Sequence, residues 1–100
     1  MGPMTEELYD AFLTLRSREE VKRFLGDLMT EEEVLECARR FWAARQLDQG
    51  VSYQAIQDAT GLSSTTVARI SRWLKQGKKG YRLVIDRLHH TSPSREKPSA

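Results

Sequence analysis

The sequence is poor in the groups that most small-protein chemistry depends on. Its single cysteine, Cys37, excludes an internal disulfide; set in an apolar helical pattern, it reads as a buried and inert thiol. The two histidines, His89 and His90, are adjacent, so on a helix they point about 100° apart and cannot share a metal as a pair four residues apart can. They read as solvated residues at a helix C-terminus, where positive charge is favoured. No Ser-His-Asp order or metal-ligand spacing is present. The glycine-punctuated basic turn at 75–80 lacks the Gly-x-x-x-x-Gly-Lys-Ser/Thr order of a phosphate loop. An enzyme is therefore not expected, nor any cofactor or metal. No apolar run approaches a membrane span and no charged-apolar-small leader is seen, so the expectation is a cytoplasmic protein with no membrane partner.

What is present is helical pattern and uneven charge. A chain of 100 residues, 39% hydrophobic and 30% charged, is one domain with a small core. Its net charge of +2 hides an asymmetry: residues 1–62 carry seven basic and twelve acidic side chains, whereas 63–90 carry seven basic ones against Asp86 alone. A concentrated basic segment is the electrostatic footprint of a polyanion binder. Charge runs are more often merely solvated, so the reading depends on which elements carry the charge.

The pattern predicts six short helices and no strand. Residues 1–4 are set aside as an N-terminal extension. Thr5 caps a first helix, with Leu8, Tyr9, Phe12 and Leu15 on one face, running to about Arg16. Ser17 and Glu20 form a capping box for a second, striped by Val21, Phe24, Leu25 and Leu28. Thr30 with Glu33 is the strongest start signal, opening a long third helix whose Val34, Cys37, Ala38, Phe41, Ala44 and Leu47, widened by Leu35, Trp42 and Ala43, need more than one neighbour. Trp42 and Trp73 read as packing residues, with an edge of the dimer or of the DNA contact as the alternative place for Trp73. After the basic turn, Tyr81, Leu83, Val84, Ile85 and Leu88 make a final helix whose apolar face needs burial. The domain spans 5–90, and residues 91–100, rich in Ser, Pro and charge, read as a disordered tail.

Between these lies SYQAIQDATGLSSTTVARISRWL, residues 52–74, which has the outline of a helix-turn-helix. Ser52 caps the first helix, Gly61 takes the positive φ of a tight turn, and Ser63 or Ser64 caps the second. Tyr53, Ile56 and Ala59 supply one apolar face, and Leu62, Val67, Ile70 and Leu74 the next. Ser64, Thr65, Ala68, Arg69 and Arg72 then face outward as candidates for DNA base edges: arginine matches guanine, serine and threonine donate or accept, and the alanine methyl packs on thymine. Gln54, Gln57, Lys75, Lys78 and Lys79 are the phosphate candidates. The excess apolar surface on the first, third and last helices points to a homodimer, which would set two reading helices roughly 34 Å apart along a palindromic duplex.

With the helices laid out, the sequence resembles the Trp repressor superfamily, especially its YerC/YecD branch. The likeness runs through LMTEEEVLECARR, ARQLDQGVSYQAIQDATGLSSTTVARISRWL and the final helix. It implies an all-α, intertwined homodimer whose helix pair reads operator DNA. The repressor that names the superfamily binds tryptophan with two arginines, a threonine and a glycine that leaves room for the indole. Arg40, Arg69 and Thr30 match the first three. At the glycine position stands Ile70, whose branched side chain would close most of the cavity, so the resemblance implies a vestigial effector pocket (Thr30, Arg40, Arg69, Ile70) and no response to tryptophan. Two functions follow: a sequence-specific transcriptional regulator, most simply a repressor, that binds double-stranded DNA, or a helix-turn-helix module that docks its basic face on an acidic partner protein.

Overall fold

A computed structural model describes residues 2–91. Among them are six helices and no strand: α1 (Pro3–Leu13), α2 (Arg18–Leu28), α3 (Glu31–Asp48), α4 (Tyr53–Thr60), α5 (Ser64–Gln76) and α6 (Gly80–Thr91). The all-α expectation holds. The anticipated tail begins one residue too early, since Thr91 closes α6; the rest of it lies outside the described residues. No described helix is long and apolar enough to cross a membrane. The chain divides into two compact units, Met1–Glu36 and Cys37–Ala100.

In the first unit, local hydrogen bonds decide where helices start. α1 begins at Pro3, before the expected Thr5 cap, so Pro3 and Met4 are helical and not an extension. Proline's fixed φ suits the first helical position, where its missing N–H is no loss, and the Gly2 carbonyl accepts from the Thr5 and Glu6 amides at 3.1 and 3.2 Å. The helix ends at Leu13, short of Arg16, because the Thr14 amide and hydroxyl both turn back on the Ala11 carbonyl at 3.1 and 2.7 Å. Ser17 does cap α2, its Oγ accepting from the Glu20 amide at 3.1 Å. The Glu20 carboxylate accepts instead from the Arg16 amide, at 2.8 Å, one residue before the position a capping box uses. At α3 the box is complete: Thr30 Oγ1 accepts from the Glu33 amide at 3.1 Å and Glu33 Oε1 from the Thr30 amide at 2.9 Å. Phe12 and Phe24 meet edge to face, centroids 5.3 Å apart. Even so, none of the described residues 2–36 is buried.

The second unit has a core. Ala43 and Ala44 of α3, Ile56 of α4, Leu62 of the turn, Val67, Ile70 and Leu74 of α5 and Ile85 of α6 are buried together, with Phe41, Leu47, Val51 and Tyr81 against them. The Phe41 and Tyr81 rings stack at 6.5 Å. α5 packs on both α4 and α6. Several residues expected inside are not: Tyr53, Ala59, Leu83 and Val84 are exposed, as are Trp42, Trp73 and Cys37. Helical spacing identifies an apolar face without fixing how much of it one chain can cover; α4 has eight residues and inserts only Ile56.

An ion-pair cluster ties the end of α3 to α6. Arg82 on α6 grips the Asp48 carboxylate at the end of α3 with two parallel bonds of 2.8 and 3.0 Å and also reaches Asp86 at 2.9 Å. The guanidinium beside Asp48 holds its carboxyl below the usual range, and the two carboxylates push the Arg82 pKa further up.

Candidate nucleic-acid interface

The turn between α4 and α5 is specified almost atom by atom. The Thr60 hydroxyl donates to the Ile56 carbonyl at 2.7 Å and accepts the Leu62 amide at 3.1 Å. Gly61 sits at φ 78°, a left-handed conformation that costs a residue with a side chain about 1–2 kcal/mol. Leu62 plugs the bend, 8% exposed. Ser63, not Ser64, is the cap of α5: its Oγ accepts the Thr66 amide at 3.1 Å and donates to Thr66 Oγ1 at 3.0 Å. Ser64 is left as the first helical residue, exposed on the outer face.

From this start α5 presents two faces. Inward go Val67, Ile70, Ser71 and Leu74, all buried. Outward go Ser64, Thr65, Ala68, Arg69 and Arg72, every one exposed, so the five base-edge candidates share the solvent side of one helix. Trp73 joins them, 46% exposed, with the Arg69 guanidinium over its ring at 5.9 Å from the centroid. Lys75 lies in the last turn, and Lys78 and Lys79 follow in the exposed loop. Gly77 ends the helix: its amide donates to the Trp73 carbonyl at 2.9 Å, and a Cβ there would lie 2.7 Å from that oxygen.

The remaining candidates fare differently. Gln54 donates its amide to Asp58 at 3.0 Å, and Gln57 is half-buried, so these two offer less to a phosphate than the lysines do. Arg82, part of the basic count, is held by Asp48 and Asp86. Of the four residues matched to an effector pocket, Thr30 belongs to the first unit and spends its hydroxyl on the α3 cap. Arg69 and Ile70 are neighbours in different settings, Arg69 exposed and Ile70 lying in the core at 2% exposure. Arg40 is exposed and acts on Tyr81. Burial pushes that phenol above its ordinary pKa, with Arg40 opposing the shift and Cys37 adding to it.

Sequence reading missed two participants and put packing first for a third. Thr60 as a brace and Arg82 as a clamp depend on partners that only geometry reveals. For Trp73 packing is the first reading, because an aromatic in an amphipathic helix is more often packed; its 46% exposure fits the alternative of an edge position, and its spacing of four from Arg69 is visible in the sequence.

Comparison with known proteins agrees with this geometry. The family model described as Trp repressor protein matches residues 4–89. The YerC protein of Bacillus subtilis strain 168, itself uncharacterised, is 36% identical over 90 residues, covering 90% of this chain and 86% of its own. The crystal structure of a candidate Trp repressor from Staphylococcus aureus superposes with a TM-score of 0.82 at 36% identity, covering 89% of each chain. A TrpR-like protein from Eubacterium eligens ATCC 27750 gives 0.82 at 34% identity, over 88% of this chain and 91% of its own. With an all-helical fold, a helix-turn-helix and these matches along most of its length, the chain belongs to the Trp repressor family, in the branch that contains YerC.

Proposed function

We propose that this protein is a sequence-specific DNA-binding transcriptional regulator, most simply a repressor that occludes a promoter, and that it works as a homodimer. One observation carries the reading: α5 buries Val67, Ile70 and Leu74 while turning Ser64, Thr65, Ala68, Arg69 and Arg72 to solvent on a single face, directly after a tight Gly61 turn. A helix docked from below and polar above can lie in a major groove, its side chains reaching base edges while Lys75, Lys78 and Lys79 sit beside the phosphates. Dimerisation draws support from the first unit, whose Tyr9, Leu13, Leu28 and Leu35 are exposed where no described residue is buried. Ile70 stands at the position that the resemblance matches to the glycine of the family's tryptophan binder, and its bulk supports the reading that binding to DNA is independent of tryptophan.

Selection from a random duplex pool tests this directly. The recovered sequence should be palindromic, with half-sites about one helical turn apart. Arg72→Ala should weaken binding by about 1–3 kcal/mol and relax the preference at one position, while Lys75→Ala should weaken all duplexes alike and flatten the salt dependence by about one phosphate. Tryptophan should leave each value unchanged. Absence of any duplex affinity at low salt would overturn the reading in favour of a basic face that docks on an acidic protein.

A further inference from the structure

Arg69 and Trp73 are one turn apart on the outer face of α5, and the guanidinium carbon lies 5.9 Å from the indole centroid. The indole is not a core residue: it is 46% exposed, between Arg72 and the buried Leu74 at 8%. Its backbone is fixed by the helix end, where Gly77 donates to the Trp73 carbonyl at 2.9 Å. Gly77 can come this close because it has no Cβ; one placed there would fall 2.7 Å from the carbonyl oxygen and 3.2 Å from the Trp73 Cβ. The tryptophan is thus a shelf whose base is held and whose face is open.

We infer that Trp73 is a positioning residue for DNA recognition, holding the Arg69 guanidinium so that its N–H edge addresses a base. The inference rests on the DNA-binding reading above. A guanidinium drawn to an aromatic face by its charge spends none of its N–H donors on an acceptor, so the edge that bonds guanine O6 and N7 stays available. Arg82 shows the opposite use, its donors consumed by Asp48 and Asp86. A long exposed arginine loses rotamer freedom when a complex forms; a side chain already resting on an aromatic face has less to lose. Trp73 therefore acts through Arg69 on the choice of sequence, not on general attraction to the phosphates.

The test uses the full chain and the duplex selected from the random pool, with a random-sequence duplex as reference. Trp73→Leu removes the ring and keeps an apolar helix-forming side chain; Trp73→Phe keeps a ring. Trp73→Leu is expected to lose about two- to fivefold in affinity for the selected duplex, the size of an exposed cation–π interaction, with affinity for random duplex and the salt slope unchanged. Trp73→Phe should recover most of that loss. In an Arg69→Ala background, Trp73→Leu should have no further effect, and thermal unfolding should place all variants in the folded state. An equal loss on both duplexes, a loss that persists without Arg69, or no change at all would overturn the inference. If Arg72→Ala and Lys75→Ala also leave the selected duplex unaffected, or if no duplex is recovered, the DNA-binding reading itself fails and this one with it.

Discussion

Ile70 fixes α5 by filling space, and Gly77 fixes its end by leaving space. Ile70 is 2% exposed among Ile56, Val67 and Ile85, so Ile70→Ala would remove three carbons from a close-packed interior. A loss of about 2–5 kcal/mol is expected in urea unfolding. A cost below about 1 kcal/mol would mean the position is not core. Gly77→Ala should lower stability by about 1–3 kcal/mol for the reverse reason, because the new Cβ falls 2.7 Å from a backbone oxygen that cannot yield as a flexible side-chain tip would. Thermal melts of this variant beside Gly80→Ala, where a Cβ meets nothing within 4 Å, separate crowding from loss of glycine as such. Periodicity located Ile70 in the core. The need for glycine at 77 was not legible, since it depends on where the Trp73 carbonyl ends up.

At the scale of elements, the helix starts were the most readable feature. Ser17, Thr30, Ser52 and Ser63 all accept an amide from the third residue onward, as a cap should. Capping succeeds as a signal because both partners lie within one turn. α1 shows the limit, since Pro3 starts it two residues before a plausible threonine. The link between α3 and α6 was invisible for the complementary reason: Asp48 and Arg82 are far apart in sequence and close only after folding. That link carries a pH signature. Because Arg82 makes Asp48 easier to ionise in the fold than in the unfolded chain, its contribution is complete above the ordinary carboxylate pKa of about 4 and is lost as pH falls through the lower folded value. Asp48→Asn should therefore lower the melting temperature at neutral pH and narrow the gap from the native protein below pH 4. A constant gap across the acid range would remove Asp48 from the account of acid stability.

For the whole molecule, the two units pose different problems. Among the described residues, the second encloses eight buried apolar residues and the first encloses none. Small helical units without an interior gain stability by association. If the dimer is the source of that stability, the melting temperature should rise with protein concentration, and sedimentation should give twice the chain mass. Leu13, 82% exposed, offers a sharper check. Leu13→Lys on an ordinary surface should change stability by less than about 0.5 kcal/mol, whereas at a subunit interface it should lower both the melting temperature and the sedimenting mass. Unchanged values would place the interface elsewhere or remove it.

The sequence by itself determined the helices, the tight turn and the two-faced character of α5, because caps, glycine conformation and apolar period act over one or two turns of chain. It also singled out the outward residues from Ser64 to Arg72, since a helix whose inner face is known has its outer face determined. Only the tertiary structure decided which basic residues remain available. Arg82 is consumed by Asp48 and Asp86, Arg69 rests on Trp73, and Lys75 stays exposed. The same holds for Cys37 and Trp42, whose apolar setting in the sequence predicted burial and whose single-chain environment leaves them open. Periodicity records that a face must be covered, but the covering surface is set by long-range packing, which no local pattern encodes.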